Sequence, residues 1–132
     1  MKAKNLIEYY KNFAITTEDL FGVSIELVGP ASLEGKNFEN AQGPFRHAKG
    51  VYMITDNQDN ILYIGMSQQN SIGHRIFKRI EKVENGDHGN VLLSSVYGII
   101  PSKPEYSILY EKVGLSLVFK SDNKRPIMNK RM

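Results

Sequence analysis

The apolar residues of this chain recur with two different periods, one typical of helices and one typical of strands. Near the N-terminus, Leu6, Tyr9, Tyr10 and Phe13 stand at the spacing of one helix face. This pattern predicts a helix from about Asn5 to Phe13.

A second helix, a strand and a loop are predicted between this helix and residue 49. The sequence TTED at residues 16–19 has the composition of a helix start, and Gly22 is a suitable helix end. The run VSIELVG at residues 23–29 is rich in β-branched residues, which predicts a strand. Residues 30–49 are rich in Gly, Asn and Pro and are predicted to be mainly loop.

Two β-rich runs, VYMIT and ILYIG, flank the turn-forming sequence DNQDN and predict a β-hairpin. If Thr55 pairs with Asn60, Tyr52 lies directly opposite Tyr63, and both side chains project from the same face of the sheet. A slip of one residue would move them to opposite faces, so this prediction depends on the length of the loop.

An amphipathic helix is predicted after the polar loop that follows Gly65. Ser71 is the expected N-cap of this helix, and Asn85-Gly86 is its expected end. Its apolar side consists of Ile72, Ile76, Ile80 and Val83. A parallel basic row consists of Arg75, Arg79 and Lys82.

The segment from residue 91 to residue 119 is predicted to contain a strand between helices. A short helix is expected at residues 91–95 and a strand at residues 96–100. Ser102 and Glu105 have the spacing of a capping box, which predicts a helix that continues to about Phe119.

Glu111 stands on the apolar face of this last predicted helix. The other residues of that face are Ile108, Leu115 and Val118. A carboxylate on an apolar face is costly unless it is paired or bound to a metal ion. Since capping accounts for Glu105, Glu111 is the stronger candidate for a functional carboxylate.

The composition restricts the class of protein. A chain of 132 residues with 41% hydrophobic and 23% charged residues fits a single globular domain. Cysteine is absent, which excludes disulfides, thiolate nucleophiles and cysteine-based zinc sites, and three scattered histidines do not favour an all-histidine metal site. The sequence has no apolar run of about 18 residues and no signal-peptide core at its N-terminus. We therefore expect an intracellular, cytoplasmic protein.

The formal net charge is only +3, but the basic residues are concentrated in two segments. The first contains Arg75, Lys78, Arg79 and Lys82. The second contains Lys120, Lys124, Arg125, Lys130 and Arg131. Such clusters favour a polyanionic partner, although charge runs are also common on solvated surfaces.

In their order along the chain, these features resemble the GIY-YIG nuclease superfamily. The two triplets that give the family its name read Gly50-Val51-Tyr52 and Tyr63-Ile64-Gly65 here, and the second continues into Met66-Ser67. Arg75 matches the arginine of the first helix, Glu111 matches the glutamate of a later helix, and Pro126-Ile127-Met128-Asn129 matches the final segment. Many members carry a histidine one turn after the arginine, where this chain has Arg79. The resemblance extends from Gly50 to Asn129 and leaves residues 1–48 unexplained.

The resemblance implies a fold of the α/β (α+β) type, with a small three-stranded antiparallel sheet flanked by helices. Residues 49–132 would form the nuclease-like domain. Residues 1–48 would form an N-terminal extension of unknown role, packed with that domain as one compact unit. The implied activity is a metal-dependent endonuclease that hydrolyses phosphodiester bonds, with double-stranded DNA as partner.

The resemblance also implies roles for individual residues. Glu111 would hold one divalent cation, Mg²⁺ or Mn²⁺, which accepts a site with few carboxylates because it keeps several water ligands. Arg75 would grip a phosphate through two parallel hydrogen bonds. Tyr52 would orient or deprotonate the attacking water with Tyr63 as its partner, and Asn129 would hydrogen-bond the site or its backbone. Phosphate contacts are expected from Lys49, His74, Lys78, Arg79 and Lys82.

Three alternatives stay open at this point. The tyrosines are also good strand residues, and Arg75 and Glu111 are also ordinary residues of helix surfaces. A nucleic-acid-binding module with the same fold but no cleavage would need the same basic rows. A structural or protein-interaction role is the third possibility. RNA is not distinguished from DNA.

Overall fold

The described part of the chain forms one four-stranded antiparallel sheet and three α-helices. The computed structural model describes residues 1–33, 43–84 and 93–122, and of residues 79–84 and 122 it describes the backbone alone. The elements are α1 (Ala3–Phe21), β1 (Ile25–Ser32), β2 (Gly50–Thr55), β3 (Ile61–Ser67), α2 (Ile72–Glu84), β4 (Ser95–Pro101) and α3 (Ser107–Asp122). Short 3-10 turns stand at Gly43–Phe45 and Pro104–Tyr106. The strand order is β1-β4-β2-β3.

The predicted class, an antiparallel sheet flanked by helices, is confirmed, but the predicted number of three strands is wrong. The fourth strand is β1, which comes from the N-terminal segment and pairs with β4 from Ile25–Pro101 to Ser32–Ser95. The resemblance begins at Gly50 and therefore carried no information about this strand. The β4 backbone has one edge beside β2 and a second edge that would be unpaired without β1.

Helices cover both faces of the sheet, because side chains of a strand alternate between its two faces. Val51 and Met53 of β2 pack in one cluster with residues of α1 and α3. Tyr52 and Ile54 pack in a second cluster, with Phe45 and residues of α2. Every residue of β2 is buried, as expected for a central strand covered on both sides. None of the helices in the described ranges has the length and apolar character needed to cross a bilayer.

Helix α1 is one continuous helix, and the prediction of a separate second helix at TTED is wrong. The Thr17 hydroxyl bonds to the carbonyls of Phe13 and Ala14 within the helix, so this threonine belongs to a helix interior. The predicted end is confirmed. Gly22 adopts a φ of 66°, and its N–H donates to the Glu18 carbonyl at 2.9 Å.

The N-terminus of α1 is capped by the loop of the β2–β3 hairpin. The Asp59 backbone carbonyl accepts from the Ala3 N–H at 2.9 Å, and the Asp59 carboxylate accepts from the Lys4 N–H at 3.1 Å. The Tyr97 hydroxyl donates to the same carboxylate at 3.1 Å. Asp59 itself has a φ of 65°. One loop residue therefore satisfies two N–H groups that have no partner within the helix.

Some of the other element boundaries predicted from the sequence are confirmed, and others are wrong. Ser71 is confirmed as the N-cap of α2, because its Oγ accepts from the His74 N–H at 3.1 Å. The predicted capping box at Ser102 is wrong, because the Ser102 hydroxyl accepts from the Ser24 N–H instead of capping its own helix. The strand at 96–100 is confirmed, but the part of the predicted short helix at 93–95 is not helical. The predicted end of α2 at Asn85-Gly86 lies outside the described residues.

Replacement of Asp59 by Ala should destabilise the protein by about 2–3 kcal/mol. The change removes the carboxylate that caps α1, which typically contributes about 1 kcal/mol. It also puts a side chain without local hydrogen bonds at a positive φ, at a cost of roughly 1–2 kcal/mol. Urea denaturation would measure the loss. Asn57→Ala, at an exposed position of the same loop, is the control. Equal unfolding midpoints for the two variants would contradict the capping role.

Candidate active site

The two tyrosines of the triplets lie side by side on one face of the sheet. Their ring centroids are 5.7 Å apart, with the ring planes inclined by 34°. Both side chains are nearly buried, with exposed fractions of 3% for Tyr52 and 8% for Tyr63. The prediction that they share a face is therefore confirmed.

The register that brings them together differs from the predicted one. Tyr52 pairs with Gly65, and Tyr63 pairs with Ile54, so the tyrosines are diagonal neighbours and the predicted direct pairing is wrong. A bulge between Ile54 and Thr55 changes the register near the turn. Because the shift at Tyr52 is two residues, an even number, each side chain keeps its face.

Gly65, the last residue of the second triplet, makes room for both rings. A Cβ atom added there would lie 2.5 Å from the Cζ and Oη atoms of Tyr52 and 2.6 Å from Cε1 of Tyr63. Side-chain carbons in proteins do not approach one another this closely. The glycine is therefore required by the close approach of two phenol rings to the strand.

Parts of four elements meet at one end of the sheet, which we call the triplet end and define as residues 48–50, 67–68, 71–75 and 104–107. The first residue of β2, Gly50, pairs with the last residue of β3, Ser67. The Ile72 N–H of α2 donates to the Ala48 carbonyl at 2.8 Å. The Gln68 side chain donates to the Pro104 carbonyl at 3.3 Å. Hydrogen bonds thus connect the segment before β2 with the start of α2, and the loop after β3 with the turn before α3.

Exposed basic residues surround the triplet end. Four of the residues predicted to bind nucleic acid or phosphate are exposed here, namely Lys49, His74, Arg75 and Lys78. Arg46 and His47 are also exposed. They lie near these residues because the next residue, Ala48, accepts a backbone hydrogen bond from the start of α2. We call these six residues the basic surface. The sequence interpretation missed Arg46 and His47, although both directly precede the first triplet.

The remaining predicted site residues are described in part or not at all. Arg79 and Lys82 belong to α2, but their side chains lie outside the described part of the structure. Asn129 and its segment also lie outside the described residues. Nothing in the structure therefore bears on the predicted roles of these three residues.

Glu111 points into the protein, as its position in the sequence predicted. Its exposed fraction is 5%, and Tyr110, Gly114 and Val118 of the same helix are buried beside it. Ile108, predicted on this face, is instead 41% exposed. Burial strongly raises the pKa of the Tyr10 phenol, and the nearby charge of Glu111 raises this pKa further. Glu111 therefore lies close to Tyr10 of α1.

The structure brings Tyr52 and Tyr63 together, but it holds Glu111 in a different layer. The tyrosines pack in the cluster that contains Ile72 and Ile76 of α2. Tyr110, the neighbour of Glu111, packs in the cluster on the other face of the sheet. Because β3 is an edge strand, its open edge offers a phosphate or ion access to both faces of the sheet.

The oxygen atoms near the start of α3 fit a metal site with few protein ligands. Among the described side chains of residues 1–33, 43–78 and 93–121, no three of His, Asp or Glu form a cluster that could hold a metal ion. Ser107, one turn before Glu111, is fully buried, and its Oγ finds no hydrogen-bond partner in the described structure. A carboxylate and a hydroxyl on one helix face are hard oxygen donors. Their donor type suits Mg²⁺, which prefers oxygen ligands and often uses only one or two carboxylates.

Comparison of the chain with models of protein families, with curated proteins and with solved structures found no match. A function therefore has to be inferred from the arrangement of the residues at the triplet end and around Glu111.

Replacement of Gly65 by Ala should destabilise the protein by about 1–3 kcal/mol, the usual cost of forcing an extra carbon into a packed site. The added methyl group would press against both tyrosine rings. Thermal unfolding of the variant would measure the effect. In a Tyr52→Ala background one of the rings is absent, so the same replacement should cost less. An equal cost in both backgrounds would exclude the proposed role of the glycine.

Proposed function

We propose that this chain is a metal-dependent endonuclease that hydrolyses phosphodiester bonds in double-stranded DNA. The observation that carries the proposal is the convergence of Tyr52 and Tyr63 above Gly65. The rings come from the two triplets that the chain shares with the GIY-YIG nucleases. Such a convergence is what a shared catalytic role requires, whereas strand propensity alone does not require a glycine beneath two rings.

Arg75 and the basic surface would bind the substrate. A guanidinium group makes two parallel hydrogen bonds to phosphate oxygens, which fixes the orientation of the phosphate. Arg75 is exposed in the first turn of α2 and is therefore accessible to a nucleic acid. Lys49 and Arg46 extend the positive charge along the same side, and His47 is exposed beside them. A DNA substrate also accounts for the expected intracellular location.

Tyr52 would orient the attacking water. A free phenol has a pKa near 10, so its ionisation at pH 7 costs about 4 kcal/mol. We therefore assign Tyr52 a hydrogen-bonding role toward the water rather than its deprotonation, with Tyr63 packed against the ring to limit its movement.

Glu111 and Ser107 would hold the divalent cation along the β3 edge. A bound Mg²⁺ supplies a polarised water and neutralises charge on the phosphate. The buried carboxylate of Glu111 supplies the negative charge that attracts the cation. The buried hydroxyl of Ser107 supplies a second oxygen or a hydrogen bond to a water ligand.

A nucleic-acid-binding module without cleavage is the second candidate, and one observation favours it. Glu111 and the tyrosine pair belong to different layers of the fold, whereas catalysis requires all of them to reach one phosphate. The basic surface would serve binding equally well. The two candidates differ in whether metal-dependent cleavage occurs.

Replacement of Glu111 by Gln should abolish Mg²⁺-dependent cleavage of plasmid DNA and leave DNA binding intact. The change preserves the shape of the side chain but removes the charge that attracts the cation, while Arg75 and the basic surface remain. Without metal, the free energy of unfolding should be unchanged or higher, because a buried carboxylate is costly to keep ionised. Gel electrophoresis of nicked and linear plasmid would measure cleavage.

Glu105→Gln is the matched control for this experiment, since Glu105 is exposed near the start of the same helix. This variant should cleave at nearly the wild-type rate. Full activity of the Glu111 variant, or loss of activity in the Glu105 variant only, would show that Glu111 is not the metal ligand. Wild-type protein that binds DNA without cleaving it in Mg²⁺ or Mn²⁺ would support the binding module.

Replacement of Arg46 by Ala should lower the salt dependence of DNA binding. If Arg46 neutralises one phosphate, the slope of log K against log salt concentration should fall by about one unit. Fluorescence anisotropy with labelled duplex DNA at several salt concentrations would measure it. Lys11→Ala removes an equal charge from α1, where Lys11 pairs with Glu8, and should leave the slope unchanged. Equal slopes for both variants would remove Arg46 from the DNA contact.

A further inference from the structure

A buried tyrosine hydroxyl contacts the backbone of α3 beside Glu111. Tyr10 of α1 is fully buried, and its hydroxyl donates to the Tyr110 carbonyl at 2.5 Å. A side chain at Gly114 would meet the same hydroxyl. In a regular α-helix, the carbonyl of residue 110 and the N–H of residue 114 form one turn of the hydrogen-bond ladder. The Tyr10 hydroxyl therefore bonds to the carbonyl at one end of this turn and packs against Gly114 at the other end.

Gly114 is the feature of α3 that permits this contact. A Cβ atom at position 114 would overlap the Tyr10 hydroxyl oxygen and would also approach the Tyr10 Cζ and Ile64 Cδ1 atoms at 3.4 Å. Glycine is unfavourable in a helix interior, so its presence here has a local reason. Tyr10 and Gly114 are therefore a matched pair, in which the missing side chain of one accommodates the hydroxyl of the other.

A second contact from α1 holds the ring of Tyr110. The hydroxyls of Thr17 and Tyr110 lie 2.6 Å apart in a buried hydrogen bond, and Phe13 packs edge-on against the Tyr110 ring at 5.1 Å. This contact stabilises the packing of α1 on α3. Unlike the Tyr10 contact, it does not involve the backbone of α3.

The position of Glu111 gives the Tyr10 contact its functional meaning. Glu111 directly follows Tyr110 and lies within the turn whose two ends the Tyr10 hydroxyl contacts. The direction of its Cα–Cβ bond is set by the backbone of that turn, and its side chain is held in a buried site. A displacement of this turn would move the carboxylate away from the β3 edge, where the proposed cation would lie.

We propose that Tyr10 is a positioning residue for Glu111: its hydroxyl holds the turn of α3 from Tyr110 to Gly114 and thereby fixes the carboxylate that binds the divalent cation. The inference rests on the proposed function. It also assigns a role to the N-terminal helix, for which the sequence resemblance has no counterpart. Residues that orient a metal ligand through hydrogen bonds typically change metal affinity by 10–100-fold when they are replaced.

Tyr10→Phe tests this role, because it removes the hydroxyl and preserves the ring. We expect the Mg²⁺ dissociation constant, measured by isothermal titration calorimetry on the full chain, to rise roughly 10-fold. The Mg²⁺ concentration for half-maximal plasmid cleavage should rise in parallel, and the cleavage rate at saturating Mg²⁺ should largely recover. Hydrogen exchange at the amides of this turn should become faster, since the turn loses its hydrogen bond to α1.

Two further variants separate positioning from general stability. Thr17→Val removes the buried hydrogen bond to the Tyr110 ring and should lower the unfolding temperature without a change in Mg²⁺ affinity. Gly114→Ala should weaken Mg²⁺ binding as Tyr10→Phe does, because its methyl group displaces the Tyr10 hydroxyl. In the Tyr10→Phe background the same Gly114→Ala change should have little additional effect, since the hydroxyl is already absent.

Each outcome decides between the two proposals. Wild-type affinity for Mg²⁺ in Tyr10→Phe, or an equal loss in Tyr10→Phe and Thr17→Val, would overturn the positioning role and leave the nuclease proposal standing. A wild-type protein that neither binds Mg²⁺ nor cleaves DNA would overturn the nuclease proposal, and the positioning role with it.

Discussion

The register of β2 against β3 is the constraint on which the rest of this structure depends. It directs Tyr52, Ile54 and Tyr63 toward α2 and directs Val51, Met53 and Ile64 toward α1 and α3. A slip of one residue would exchange these two sets, and the helices would meet the wrong side chains. The same register puts Gly65 beneath the two tyrosine rings. A residue with a side chain at this position would prevent the rings from meeting.

The N-terminal segment is part of this structure rather than an appendage to it. Strand β1 covers the free edge of β4, and α1 packs with α3 on one face of the sheet. The loop between β2 and β3 in turn caps the N-terminus of α1 through Asp59. The segment that has no counterpart in the resemblance thus helps to bury α3, and with it the carboxylate on which the proposed chemistry depends.

Glu111 is the residue for which stability and the proposed function conflict most clearly. Its neighbours on the buried face of α3 are Tyr110, Gly114 and Val118, and an apolar side chain at this position would pack without the cost of burying a charge. A buried carboxylate costs free energy unless a partner or a cation compensates it. The proposed cation would contribute to this compensation and would also explain why the position holds a glutamate.

Much of the fold and part of the candidate site could be predicted from residues that are close in sequence. The hairpin, the Ser71 cap of α2 and the inward direction of Glu111 follow from periodicity and from local hydrogen bonds, which act over a few residues. The face shared by the tyrosines was also predictable, although their direct pairing was not. A bulge changes the register, and nothing in the turn sequence indicates it. The two tyrosines still share a face because the register shift at Tyr52 is an even number of residues.

The sequence by itself thus determined most of the strand and helix segments and most residues of their apolar faces, because both depend on the backbone period. The tertiary structure alone decided the contacts between distant segments. Strand β1 reaches β4 across the chain, Ser102 bonds to Ser24 instead of capping its own helix, and Tyr10 reaches the backbone of Tyr110. Arg46 and His47 join the basic surface only because a backbone hydrogen bond connects Ala48 to α2. Such contacts depend on shape complementarity between elements that are far apart in sequence, and no local pattern encodes which distant partner fits.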